Sequence, residues 1–187
     1  SLMFETVDMF TKSIELIATD AAFQQVNKAV DVLINGDGNN NAAPVDTIEG
    51  DSGLTPAELI NFAFKFYEAS KVPLTTIIAP REMYIALQQM VIATNSANGI
   101  MPGTTLSFPV GISPDLKVIP ADVPKSGTKA QLIGLNNTYA LTKYVAAGSQ
   151  IREIDRNIRN QTQIGTISEI AGFAKFVNSA TRVLRAK

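Results

Sequence analysis

The chain has 187 residues, of which 45% are hydrophobic and 18% charged, with a formal net charge of -1; that is enough apolar material for a buried core and excludes a disordered chain. An isoelectric point near 5.5 excludes the broad basic excess of a dedicated nucleic-acid binder, so any nucleic-acid contact is local. The sequence contains no His and no Cys, which removes Ser-His-Asp and Cys-His nucleophile pairs, Cys/His zinc sites and disulfides together and leaves Asp, Glu, Lys and Tyr for acid-base work.

No apolar run reaches the roughly 20 residues that span a membrane, and no basic-then-apolar segment opens the chain, so it reads as cytosolic. Ser1-Leu2 reads as an expression scar, and the natural protein is expected to continue further toward the N-terminus.

The first predicted element is one helix from Val7 to Ile34. Val7, Phe10, Ile14, Ile17, Ala18, Ala21, Ala22, Val26, Ala29, Val30 and Leu33 recur largely three or four residues apart, the spacing that stacks side chains on one helical face. Met9, Leu16, Phe23 and Val30 recur every seventh residue and lie partly off that stripe, which gives the helix a second apolar side. Asn35-Gly36-Asp37-Gly38 ends it, because Gly36 can take the left-handed conformation of a helix stop.

The polar loop that follows places Asn35, Asp37, Asn39 and Asp46 at ligand positions of a calcium loop. Asn40 stands where the sharp turn needs glycine, so the loop reads as side chains bonding their own backbone. Thr55-Pro56-Ala57-Glu58 is a capping box with proline at the first helical position, which predicts a helix to about Ser70 with Leu59, Phe62, Ala63, Phe66 and Ala69 inward, and Phe64 and Tyr67 widening that face. Thr75 to Ala79 is a β-branched run suited to a buried strand, and Pro80 opens a helix to about Ala93. Further on, Leu116–Ile119, Ala130–Ile133 and Tyr139–Val145 read as strands, and Pro120, Pro124 and Ser126-Gly127 suit a hairpin loop between the first two.

The tail carries Arg152, Arg156 and Arg159 among Glu153, Asp155 and Ile residues, then strand-like runs at Thr162–Ile170 and Ala180–Leu184. Those arginines form either a solvated face or a subunit boundary, where planar guanidinium forks favour bidentate carboxylate pairing; the second reading is preferred.

In their order, these parts resemble the major capsid proteins of tailed bacteriophages, of the Hong-Kong-97 type, whose fold is shared with encapsulin shells. The spine ending Asp31-Val-Leu-Ile-Asn-Gly-Asp-Gly resembles that family's peripheral-domain helix and its exit. Leu54-Thr-Pro-Ala-Glu-Leu, Thr76-Ile-Ile-Ala-Pro-Arg and Phe108-Pro-Val-Gly-Ile-Ser resemble its axial-domain succession. Gly148-Ser-Gln-Ile-Arg-Glu, Ile158-Arg-Asn-Gln-Thr-Gln-Ile and Gly172-Phe-Ala resemble its closing sheet.

The resemblance implies an α+β fold, with residues 1–38 and 146–187 as a peripheral domain and 39–145 as a mixed α/β axial domain. It implies a structural protein and no enzyme, with no cofactor and no metal. The implied partners are copies of the chain itself, in hexamers and pentamers of an icosahedral shell enclosing DNA, with a weak contact to the packaged DNA and none to a membrane. The implied location is the virion, after assembly in the bacterial cytoplasm. An encapsulin-like compartment shell is the near alternative, and a carboxylate-based enzyme or a small binding module the distant one. The sequence departs from the family in lacking an N-terminal arm and an extended loop ahead of the spine, which implies a core fragment. Within the shell reading, Ile14, Ile17, Ala21 and Val26 are expected to face the protein's own sheet, and Leu16 and Phe23 a neighbouring subunit.

Overall fold

The computed structural model describes residues 2–97, 111–149, 151–157 and 162–187. The chain divides into two compact units, one of residues 1–29 and 142–174, the other of residues 30–141 and 175–187.

The larger unit is a five-stranded sheet covered on both faces. Its strands are β1 (Val45–Thr47), β2 (Leu74–Ala79), β3 (Ile112–Pro120), β4 (Gln131–Leu135) and the C-terminal strand (Thr181–Arg185), in the order β1, C-terminal strand, β4, β2, β3. β2 and β3 run parallel and are joined through the helix α3 (Arg81–Ala97), while β4 is antiparallel to both β2 and the C-terminal strand. The expected hairpin between Leu116–Ile119 and Ala130–Ile133 is therefore corrected, because β2 lies between them and pairs with each. The Leu74–Ala79 run is buried along most of its length and takes the place between β3 and β4, and the ten residues from Ala121 to Ala130 cross to reach β4. Ser126-Gly127 still turns the chain, as a local bridge between Ser126 and Lys129 inside that crossing.

The helix α2 (Pro56–Ser70) starts where the capping box places it, with the Thr55 hydroxyl accepting from the Glu58 backbone N–H at 3.3 Å. It buries Phe62, Ala63 and Phe66 against Leu74, Ile77 and Leu132. Phe64 does not widen that face: it sits two residues from each of Phe62 and Phe66, nearly opposite them on a 3.6-residue period, and is exposed with Ile60. Ala69 is exposed as well. The opposite face of the sheet holds a second core, in which Val30 and Leu33 pack with Ile133, Leu135, Ala180 and Val183. Successive residues Leu132 and Ile133 of β4 serve opposite cores, as the two-residue period of a strand requires.

The spine helix α1 (Leu2–Asn35) has 34 residues, longer than the predicted Val7–Ile34, and about 51 Å of rise. Its last turns, through Val30, Val32 and Leu33, belong to the larger unit's buried residues. The rest shares the smaller unit with β5 (Leu141–Val145), β6 (Ile151–Asn157), β7 (Thr162–Ser168) and β8 (Ala171–Lys175), which form two two-stranded sheets, β5 with β8 and β6 with β7. The expected division at Gly38 and Val145 thus shifts. The end of the spine and the C-terminal strand, here β9, join the larger unit because Val183 and Leu184 are buried at the heart of its sheet.

Candidate assembly surface

In the smaller unit the rotation of the spine is fixed by one polar cluster. Gln25 donates through Nε2 to Glu169 Oε1 at 3.0 Å and accepts from Lys143 Nζ at 2.9 Å, and Lys143 pairs with Glu169 at 2.6 Å. Gln25 therefore faces β5 and the turn before β8. At about 100° per residue, Leu16 and Phe23 lie roughly 160–180° around the helix from Gln25. Both point to solvent, at 70% and 62% exposure. Ala18, Ala21 and Ala29 share the Gln25 side and are half-buried.

This partly corrects the expected inner stripe. Ala21 is half-buried as expected, but Val26 is 47% exposed, because it lies about 100° from Gln25 and belongs to the outer flank. The side chains of Ile14 and Ile17 lie outside the described residues. Arg152 and Arg156 stand on β6 in register with Ile167 and Gln163 of β7, and Arg159 lies outside the described residues. The structure places all the described candidates in the smaller unit, but brings the arginines together with neither Leu16 nor Phe23 in any described contact.

Three further outward apolar residues of this unit escaped the sequence reading. Tyr144 and Val145 on β5 and Ile170 before β8 are all exposed, and the Ala146 N–H donates to Ile170 O at 2.9 Å, which sets the two segments side by side. Period-two alternation does not mark Tyr144, since Thr142 on the same side of the strand is half-buried. Nothing in composition marks Ile170.

In the larger unit, the loop after the spine is closed by polar contacts. Gly36 N–H donates to Val32 O, and Asp37 N–H to Asn41 Oδ1. Asp37 Oδ2 accepts from the Lys175 backbone N–H at 3.0 Å, which holds the carboxyl below its ordinary range, helped by Asn41 and Asn39 and opposed by burial. The buried Lys175 ammonium donates to Asn41 O at 2.7 Å, and Asn41 donates to Asn178 Oδ1. The calcium positions are not gathered. Asn35 donates to Asp31, Asp37 is held by Lys175, and Asp46 lies on β1 in a bidentate pair with Arg182, 3.9 Å from Lys65. Among the described residues, no group of three or more Asp or Glu side chains converges to hold a metal.

One rotational side of the spine is held by the Gln25 cluster, and the opposite side exposes Leu16 and Phe23 among polar residues such as Asp20 and Asn27. The fold is that of tailed-phage capsid proteins and encapsulins. The chain is similar to a phage-related protein of Bordetella bronchiseptica RB50, at 10% identity and a TM-score of 0.62 over 95% of this chain and 66% of that one. It is similar to the holo-SrpI encapsulin complex of Synechococcus elongatus PCC 7942, at 14% identity and a TM-score of 0.58 over 94% and 64%. It is similar to the capsid of Myoviridae phage XM1, at 10% identity and a TM-score of 0.51 over 93% and 65%. The chain spans just under two thirds of the length of each. No protein-family model matches the sequence, and no curated protein matches it at the sequence level.

Proposed function

We propose that this chain is the core of a major capsid subunit of a tailed phage or prophage, which tiles with copies of itself into a closed shell enclosing DNA. The observation that carries the reading is a fold matched over nine tenths of the chain by shell-forming proteins, together with an outer spine face whose large apolar side chains have no cover within their own unit. Exposed apolar side chains concentrated on one face mark an interaction surface. Leu16 and Phe23 are assigned to a contact between subunits, as are Arg152, Arg156 and Arg159. Hexamers and pentamers are the expected assemblies, since heterologous contacts that rotate close into rings. The role is structural and not enzymatic. The particle is the expected location, and any contact with packaged DNA is weak at a net charge of -1.

The encapsulin complex is matched as well as the phage proteins, which supports a compartment shell as the second reading. Electron microscopy of the complete gene product tests both. Closed particles filled with nucleic acid support the capsid, particles filled with protein cargo support the compartment, and no particle at any salt or pH rejects both.

A further inference from the structure

The last turn of the spine ends in Asn35-Gly36, a dipeptide with intrinsic chemistry. We propose that Asn35 is a deamidation site gated by opening of the spine's last turn, so that this turn is a one-way ageing point of the protein. The proposal is independent of the shell reading.

The reaction needs the Gly36 backbone nitrogen to lose its proton and attack Cγ of Asn35. The Cγ–Nδ2 bond breaks and ammonia leaves, giving a five-membered succinimide. Water then opens the ring at either carbonyl, leaving aspartate or isoaspartate at position 35. Glycine at the next position favours the attack because no Cβ blocks it.

The side chain is exposed, so water and hydroxide reach it, but three contacts withhold the reactive geometry. The attacking nitrogen is engaged, since Gly36 N–H donates to Val32 O at 2.9 Å. The leaving amide is engaged too, with Asn35 Nδ2 donating to Asp31 Oδ1 at 2.7 Å. The turn beyond it is engaged as well, with Gly36 at φ +88° and the next N–H, that of Asp37, donating to Asn41 Oδ1 at 3.0 Å. Helical backbone at Asn35 also turns the Gly36 nitrogen away from Cγ. All three contacts go together when the last turn opens, and helix ends open far more often than whole proteins unfold.

The product damages the turn that made it. A carboxylate at position 35 cannot donate to Asp31; it faces that carboxylate four residues away and sits at the negative end of the helix dipole. Isoaspartate also lengthens the backbone by one carbon at the Gly36 stop. Once formed, either product holds the turn more open.

The test follows the peptide containing Asn35 by mass spectrometry during incubation of the purified chain at mildly alkaline pH. The amide-to-acid mass change is counted, and isoaspartate is scored by methyltransferase labelling. Asn35 should modify at least about tenfold more slowly in the native chain than in urea, the ratio set by the opening equilibrium. Asn98, the other asparagine followed by glycine, is the reference for the unfolded rate. Asp31→Ala should speed Asn35 in the native chain and leave its rate in urea unchanged. Equal native and urea rates, or an Asp31→Ala rate equal to the original in both states, would overturn the gating. A urea rate at Asn35 far below that at Asn98 would overturn the site itself.

Discussion

The buried ammonium of Lys175 donates to the main-chain carbonyl of Asn41 at 2.7 Å, tying the last residue of β8 to the loop that leaves the spine. Burial lowers its pKa from the ordinary 10.5, and the nearby Asp37 charge opposes that shift. The folded pKa lies below the unfolded one, so between the two the unfolded chain holds more protons and stability rises with pH. The neutral amine can still donate to Asn41. Lys175→Met removes the titration, so the original chain should gain on the variant as pH climbs toward 10.5. Urea midpoints of both at neutral and alkaline pH measure this, and a gap that moves the other way rejects a buried cation at this position.

Asp37 gives the opposite signature at the acid end. Its carboxyl lies below the ordinary 3.8, first because the Lys175 backbone N–H bonds it, so its contribution is fully present above that value and disappears as pH falls through the folded pKa. Asp37→Asn should flatten the acid limb of the stability profile. An unchanged limb in thermal melts between pH about 2 and 5 would assign acid sensitivity to other carboxylates.

The helices were legible because their signals are local. Thr55 and Pro56 mark the start of α2 by chemistry that needs no partner, and Gly36 marks the end of α1 in the same way. Strand order was not legible. Nothing in Leu116–Ile119 or Ala130–Ile133 says that Leu74–Ala79 will insert between them, since pairing is settled by which strand can be buried on both faces. The candidate site was read in part. The seven-residue spacing of Leu16 and Phe23 puts them on one face whatever covers the helix, and they are exposed together. The outward turn of Val26 depends on the Gln25, Lys143 and Glu169 cluster, which joins residues more than a hundred positions apart. No spacing rule reaches that far.

Gly134 on β4 is small because Phe62 fills the space beside it. A Cβ at Gly134 would stand 2.6 Å from Phe62 Cε1 and 2.9 Å from Leu74 Cδ1. Gly134→Ala should therefore destabilise by about 1–3 kcal/mol, the usual cost of overpacking a filled core. Phe62→Leu in the same chain should recover part of that loss, since the two changes share one volume and are not additive. Denaturant midpoints of both singles and the double decide it, and strict additivity would reject the shared space.

Thr181 opens β9 with its side chain fully buried and its hydroxyl without a partner among the described residues. A buried hydroxyl that has lost water and gained no bond is unfavourable, and valine has nearly the same shape. Thr181→Val should raise stability by about 1 kcal/mol. A melting temperature lowered by the substitution would show that the hydroxyl is bonded in solution.

The outer spine face gives the decisive experiment. Leu16 and Phe23 are exposed at 70% and 62%, and Gln25 fixes the opposite side of the helix by its bonds to Lys143 and Glu169. Replacing both apolar residues with Glu should move the stability of this chain by no more than about 0.5 kcal/mol, as exposed substitutions away from caps and cores do. In the natural-length protein the same pair should abolish particle formation, because two carboxylates would then be buried without partners at the subunit contact. Gln25→Ala is the opposite control. It removes the cluster that orients the helix, so it should lower stability in this chain before any assembly begins. Thermal melts of the two variants and light scattering of their natural-length forms separate an interface face from an ordinary core face. A double-Glu variant that melts early assigns Leu16 and Phe23 to the chain's own fold, and one that melts normally and still assembles removes them from the subunit contact.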